Sequence, residues 1–321
     1  MLSIGNLKLK SNLILSPLAG ISDLPFRMIN RKFGCHLAFV EMINVRSLSH
    51  KSKKTKRMLS TLKADSPLGV QLLGFEEDFI KKAIDILQYY RFNVLDFNCA
   101  CPEKKVVRRG EGAALLKDPK KIQRILKIMV KRSNRPVTVK IRIGFNSESV
   151  NAKEVARCAQ DAGVKALFIH GRTREQFYKP GVDYDTIRRV KEALSIPVIA
   201  SGDIFSGALA KRMLDETGCD GLAVARGSFG NPWIFKEIKA FLKGKSIKKP
   251  NARQVYKVMR PHFKSCVKFY GPIQAVGLFR KFFNWYVKGF SDVRTLREKA
   301  CYAKKETDML EVMKTFYKIH K

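Results

Sequence analysis

Eight short apolar or β-branched runs, nearly all separated by segments of helical periodicity, fill the first 230 residues, and this alternation restricts the fold more than any other feature. The strand candidates are 13–16, 37–42, 68–72, 94–98, 137–143, 166–170, 198–201 and 221–225. Between most of them lie amphipathic stretches, 77–90, 119–132, 152–162, 184–194 and 206–217. Ser22-Asp23, Asp118-Pro119 and Asp183 stand just ahead of apolar-periodic runs, where a side-chain oxygen can cap the free amides of a helix start. Strands alternating with helices call for a parallel sheet, and eight units in series predict a (β/α)8 TIM barrel, an α/β fold. An open doubly wound sheet usually has fewer strands and, for dinucleotides, a G-x-G-x-x-G turn after the first. Here the first strand runs into Ser16-Pro17-Leu18-Ala19-Gly20, which is no such turn.

Near Gly244 the pattern changes. Lys243-Gly244-Lys245-Ser246-Ile247-Lys248-Lys249-Pro250 reads as a linker, and three long amphipathic helices are expected after it, at 252–269, 272–288 and 294–319. The chain is thus divided into a barrel, 1–243, and a small all-α domain, 244–321. Most of the aromatic residues Phe263, Phe269, Tyr270, Phe279, Phe282, Phe283, Trp285 and Tyr286 are expected in its core. Arg280-Lys281, interleaved with them, could still line an RNA-facing surface.

The formal net charge of +35 points to a polyanionic partner, although lysine-rich proteomes account for part of such an excess. Its distribution favours a partner: residues 244–321 carry 19 Lys and Arg against 5 Asp and Glu, and the segment from Arg46 to Lys63 has seven basic residues and no acid. The seven cysteines are scattered and odd in number, which suits reduced thiols in a cytoplasmic protein rather than a disulfide framework. Cys99 and Cys101 have no second pair or nearby histidine to complete a zinc set, so no metal site is expected. No apolar run reaches membrane-spanning length, and the Leu13–Leu15 stretch is too short for a signal-peptide core.

In a barrel, the chemistry gathers at the C-terminal ends of the strands. Those positions hold Gln71, the run Asn98-Cys99-Ala100-Cys101-Pro102, Lys140 and Arg142, His170-Gly171-Arg172, Ser201-Gly202-Asp203 and Ala225-Arg226-Gly227. Residues 137–143 alternate apolar side chains with Thr138, Lys140 and Arg142. Helices cover the outside of a barrel, so the two cations should face its axis, where they are costly unless matched. A salt bridge to Asp96 is one match; a bound cofactor with phosphate and polar ring edges is the better one. The small, glycine-containing ends of the seventh and eighth strands allow backbone amides to approach a phosphate. With Lys140 and Gln71 they suggest flavin mononucleotide (FMN). Cys101, held before a proline at the rim, is a candidate acid or nucleophile, whereas Cys99 at the strand end is expected to pack.

Pro17-Leu18-Ala19-Gly20-Ile21-Ser22-Asp23-Leu24-Pro25-Phe26-Arg27 resembles the opening signature of the dihydrouridine synthases. Asp96-Phe97-Asn98-Cys99-Ala100-Cys101-Pro102 resembles their catalytic stretch, and Leu167 to Thr173 their sixth strand. Ile199 to Ile204, Pro232-Trp233-Ile234-Phe235 and the pairs Arg280-Lys281 and Trp285-Tyr286 continue the match in order. The similarity is greatest to the bacterial B-type branch. It implies FMN-dependent, NADPH- or NADH-driven reduction of the C5=C6 bond of a uridine in tRNA, by a monomer whose helical domain binds the tRNA. Cys101 would protonate C5 while flavin N5 delivers hydride to C6. Pro17, Leu18 and Ala19 would meet the flavin ring, Gln71 and Lys140 its polar edge, with His170 nearby. Ser201, Gly202, Asp203, Ala225 and Arg226 would hold its phosphate and ribityl chain, and Asn98 and Arg172 would orient the uracil. The family more often has Asn at the position of Ser201 and Gly at that of Ala225. Two alternatives are a flavin barrel acting on a free pyrimidine, which gives no use to the charge, and a non-catalytic tRNA-binding protein, which gives none to Cys101, Lys140 and His170.

Overall fold

The computed structural model describes residues 2–320. Eight parallel strands close into a barrel: β1 (Leu13–Leu15), β2 (Leu37–Phe39), β3 (Leu68–Leu73), β4 (Val94–Cys99), β5 (Val137–Arg142), β6 (Ala166–His170), β7 (Val198–Ser201) and β8 (Gly221–Val224). Each pairs with the next, and β8 returns to β1 through Leu222, Ala223 and Val224. The expected second strand, 37–42, ends at Phe39; Ile43–Asn44 makes a separate short pairing with β3.

Seven helices dress the outside: α1 (Leu24–Lys32), α2 (Glu77–Leu87), α3 (Pro119–Arg132), α4 (Ala152–Asp161), α5 (Tyr184–Glu192), α6 (Gly207–Thr217) and α7 (Ile234–Phe241). The expected caps are formed. Asp23, Asp118 and Asp183 accept from the amides of Phe26, Lys121 and Thr186, each at 2.8 Å. Two short helices, Val45–Ser49 and Lys53–Met58, occupy the loop after β2 and carry much of the basic Arg46–Lys63 segment.

The lower barrel is plugged by its own side chains. Phe39 and Phe168 meet edge to face at 5.5 Å, beside Ile14, Val94 and Ile199. Gly69 makes room for this plug, since a Cβ there would lie 2.2 Å from the Phe39 ring. A hairpin, Ser3–Ile4 with Leu7–Lys8, adds Leu2, Ile4 and Leu9 to the same cluster; it has no counterpart in the expected element list. With the lower half filled, a ligand can enter only at the C-terminal end of the strands.

Four helices follow, α8 (Ala252–Tyr270), α9 (Pro272–Tyr286), α10 (Arg294–Tyr302) and α11 (Glu306–Ile319). The single helix expected over 294–319 is broken at residues 303–305. There the amides of Lys304 and Lys305 turn to the Asp308 carboxylate, at 3.0 and 2.9 Å, instead of continuing the helical ladder. The helices pack directly on the barrel: Phe26 stacks on Phe282 at 5.7 Å and Phe229 on Trp285 at 4.3 Å. No helix among the described residues is long and apolar enough to cross a membrane.

Candidate active site

A cavity of about 360 Å³ opens at the C-terminal mouth of the barrel. Its walls include Pro17, Leu18 and Ala19 after β1, Gln71 from β3, Asn98 and Cys101 from and after β4, Lys140 from β5 and His170 from β6. Ser201, Gly202, Asp203, Ala225 and Arg226, after β7 and β8, complete the set. These are thirteen of the fourteen site residues expected from the sequence, drawn from seven strand ends. Arg172 is the fourteenth. It does not line the cavity but lies fully buried behind it, donating to both carboxylate oxygens of Asp203 and to the Lys179 carbonyl. Arg226 donates to the same Asp203 at 2.7 Å, so one carboxylate joins the loops after β6, β7 and β8.

The strand register explains which side chains meet. Gln71, Asp96 and Thr138 are direct neighbours across β3, β4 and β5, and Asn98 and Lys140 are neighbours one inward-facing position higher. Asp96 is taken up by Gln71 Nε2 at 2.6 Å and Thr138 Oγ1 at 2.6 Å. It forms no ion pair with Lys140, whose Nζ finds only Ser201 Oγ at 3.3 Å. Burial, with the Arg142 charge second, lowers the Lys140 amine to about 8. Burial and the nearby Arg142 and Lys140 charges hold His170 well below its ordinary value, and its Nε2 has no partner in the protein. The buried Ser16 hydroxyl on the same wall is likewise unpartnered. An unmatched cation and two unmatched polar atoms around one cavity fit a ligand with electron-rich ring edges and a phosphate, as a flavin mononucleotide has.

The Cys101 loop is tightly specified. Asn98 Oδ1 accepts from the amides of Ala100 and Cys101 at 3.0 and 2.9 Å. Gly112 packs behind the loop at φ +60°, where a Cβ would lie 2.8 Å from the Cys101 carbonyl oxygen. Arg142 donates to the Ala100 carbonyl at 2.9 Å and to the carbonyls of Thr173 and Phe177 at 2.8 and 3.0 Å. It therefore ties the cysteine loop to the loop after β6. Burial raises the Cys101 thiol above its ordinary value. Cys99 is fully buried in the apolar core, as expected. No group of side chains among the described residues could hold a metal ion.

Tyr178 completes the mouth and escaped the reading of the sequence, as did Met42, Phe205 and Phe229. The Arg226 guanidinium lies 4.7 Å from the Tyr178 ring and 5.4 Å from that of Phe205. Tyr178 sits in a loop with no spacing signal of its own; only its aromatic partner Phe177 and the length of the loop after β6 marked it. A second cavity of about 440 Å³ adjoins the first, sharing Ala19 and Met42, and runs between the barrel and the helices past Lys54, Arg57, Phe269 and Tyr270.

The dihydrouridine synthase (Dus) family profile matches residues 14–320, nearly the whole chain. The chain belongs to the dihydrouridine synthase family. A probable tRNA-dihydrouridine synthase of Rickettsia conorii is 36% identical over 299 residues, covering 92% of this chain and 90% of the relative. The tRNA-dihydrouridine synthase B proteins of Pasteurella multocida and Vibrio parahaemolyticus are 38% and 37% identical, over 92% and 89% of this chain and 89% of each relative. The resemblance to the B-type branch is thus carried by most of the sequence. Among solved structures, the 6-hydroxypseudooxynicotine amine oxidase of Pseudomonas geniculata superposes with a TM-score of 0.60 at 14% identity. The match covers 76% of this chain and 49% of that one, a likeness of fold alone.

Proposed function

We propose that this dihydrouridine synthase reduces the C5=C6 bond of a uridine in tRNA, in the cytoplasm, with FMN in the barrel mouth and NADPH or NADH as the electron source. The observation that carries the proposal is the meeting of Cys101 and Asn98 with the unmatched Lys140 and His170 around one cavity. Lys140 and Gln71 would hold the polar edge of the flavin, residues 17–19 its ring, and residues 201–203 with Ala225 and Arg226 its phosphate chain. A flavin held there would supply hydride chemistry for C6, with the nicotinamide as its electron source.

The chain's own part is the proton. Reduction adds hydride at C6 and a proton at C5, so a donor must stand over C5 while remaining protonated at neutral pH. Cys101 meets that need, because burial raises its thiol and Asn98 and Gly112 fix its loop. As the S–H bond breaks and the C5–H bond forms, the nearby Arg142 charge favours the thiolate left behind. General-acid roles of this kind contribute roughly 10²–10⁴-fold. Asn98 would orient the uracil, and Arg172 would act through Asp203 on the phosphate loop.

An RNA strand suits the surroundings better than a free pyrimidine. The second cavity continues from the first past Lys54 and Arg57, and Arg57 bridges to the helices over the Tyr270 ring at 4.9 Å and to Gln274 at 3.2 Å. A base drawn out of the tRNA stack needs such flanking support. The test is dihydrouridine formation in unmodified tRNA by purified protein with FMN and NADPH, beside Cys101→Ala. Product from the native protein and at least about 10²-fold less from the variant, with flavin retained, is the expected result. NADPH oxidation without dihydrouridine in tRNA would transfer the reading to a free pyrimidine.

A further inference from the structure

Below the cavity lies a buried polar chain with a direction. Thr138 Oγ1 donates to Asp96 Oδ1 at 2.6 Å, and Gln71 Nε2 donates to Asp96 Oδ2 at 2.6 Å. Gln71 Oε1 then accepts from Asn98 Nδ2 at 2.7 Å, and Asn98 Oδ1 accepts from the Ala100 and Cys101 amides. Asp96 is 1% exposed and absent from the cavity wall, whereas Gln71 and Asn98 are both on it.

An ionised carboxylate can only accept, so it presents no donor to Gln71. Gln71 must turn its NH₂ down to Asp96 and its carbonyl up to Asn98. Asn98 must in turn give its NH₂ to Gln71, an orientation that the two backbone amides demand from the other side. Its remaining Nδ2 hydrogen meets only the Met42 thioether at 3.7 Å, a weak acceptor on the cavity wall. A donor fixed in this way, without a good partner, is set to receive a carbonyl oxygen.

We propose that Asp96 is a positioning residue: it fixes the Gln71 and Asn98 amides so that Asn98 shows the cavity a hydrogen-bond donor and holds the Cys101 loop, selecting a base that offers a carbonyl. The substrate side of this inference rests on the proposed function. Both bases carry a carbonyl at C2, so the selection acts at C4, where uracil offers a carbonyl and cytosine an amine that would set donor against donor. Buried polar groups left unpaired by the wrong base give strong discrimination. The Asp96 pKa, raised to about 6 by burial and opposed by its two donors, leaves the accepting form in place at neutral pH.

The test uses flavin-loaded full-length protein with Asp96→Leu, which removes the acceptor, and Asp96→Asn, whose carbonyl can still accept from Gln71. Hydrogen exchange at the Ala100 and Cys101 amides is read beside dihydrouridine formation. Inhibition by a tRNA carrying cytidine in place of the reduced uridine is read as well. Asp96→Leu should speed exchange at those two amides at least about tenfold while the barrel strands stay protected. It should also lower kcat/KM by at least about 30-fold and tighten inhibition by the cytidine tRNA, with Asp96→Asn within about threefold of native. Should Asp96→Leu fail to fold, Gln71→Met breaks the chain at its middle and must give the same local exchange. Native exchange in a folded Asp96→Leu or Gln71→Met, or faster exchange spread over every strand, overturns the proposal. A native protein that forms no dihydrouridine counts against the proposed function instead, while the exchange pattern still decides the role of Asp96.

Discussion

Lys140, under the proposed function, is a residue that costs stability in order to serve a site. Its ammonium is sunk in the barrel mouth, faces no carboxylate within ion-pairing distance, and has an amine lowered to about 8 by burial and the Arg142 charge. An unpaired buried cation disfavours folding and persists where a ligand meets it. The sign follows from proton binding. Between pH 8 and 10.5 the unfolded chain holds the Lys140 proton more tightly than the native one, so stability rises with pH through that window. Lys140→Met should therefore raise the melting temperature of the flavin-free protein by a few degrees at pH 7, and by less near pH 10. The same variant should bind FMN at least about tenfold more weakly, as titration of flavin absorbance would show. Loss of both stability and flavin binding would mean that Lys140 is structural. Arg172 teaches the complementary lesson. Its motif beside His170 marked it as a site residue, but nothing in the sequence told that Asp203, thirty-one positions on, would claim both terminal nitrogens of its guanidinium.

At the scale of elements, the barrel strands were legible because their outward faces bury apolar side chains against helices while their ends carry the polar residues. Strands β6 and β7 and helix α3 fall on the expected residues, and most of the others within one or two. The break between α10 and α11 was not legible, since the apolar stripe continues through it and Lys305 is a poor capping residue. The buried histidine of α8 was equally silent. His262 is enclosed by Phe26, Phe279, Phe282 and Tyr286, with Nδ1 3.1 Å from the Tyr286 hydroxyl and Nε2 unpartnered. Burial lowers it to about 3. A folded-state value depressed below 6.5 means the unfolded chain binds more protons between those limits. Stability is thus lost as pH falls from 6.5, by about 1.4 kcal/mol per unit once below 6. Asp23 and Asp96, both raised to about 6, act in the opposite sense from pH 6 towards 4, so the native curve is a compromise. The difference between native protein and a His262→Phe/Tyr286→Phe variant isolates the histidine. Thermal melts at pH 7 and 5 should show the variant losing about 2 kcal/mol less than the native chain. Equal losses would mean that His262 takes up its proton without leaving the core.

For the whole molecule, charge and architecture converge on the groove between barrel and helices. The basic segment from Arg46 to Lys63 sits in the loop after β2, and Arg57 reaches from it to Tyr270 and Gln274 at the α8–α9 turn. Lys281 closes the other side by donating to the carbonyl of Gly20, next to the residues that line the first cavity. A substrate strand lying here would displace counterions from its phosphates. Its affinity should therefore fall with salt along a log–log line whose slope counts the phosphates engaged, about −0.7 to −0.9 for each. A charge excess that only reflected a lysine-rich proteome would be spread over the surface and would not depend on any two residues. The pair Lys54→Ala/Arg57→Ala separates the cases. If the groove takes the tRNA backbone, the slope should become shallower by about one to two and affinity at moderate salt should fall at least about tenfold. Flavin binding and NADPH oxidation, which the proposed function assigns to the first cavity, should remain at native levels. An unchanged salt slope would place the tRNA elsewhere on the protein and leave the second cavity without a role in binding it.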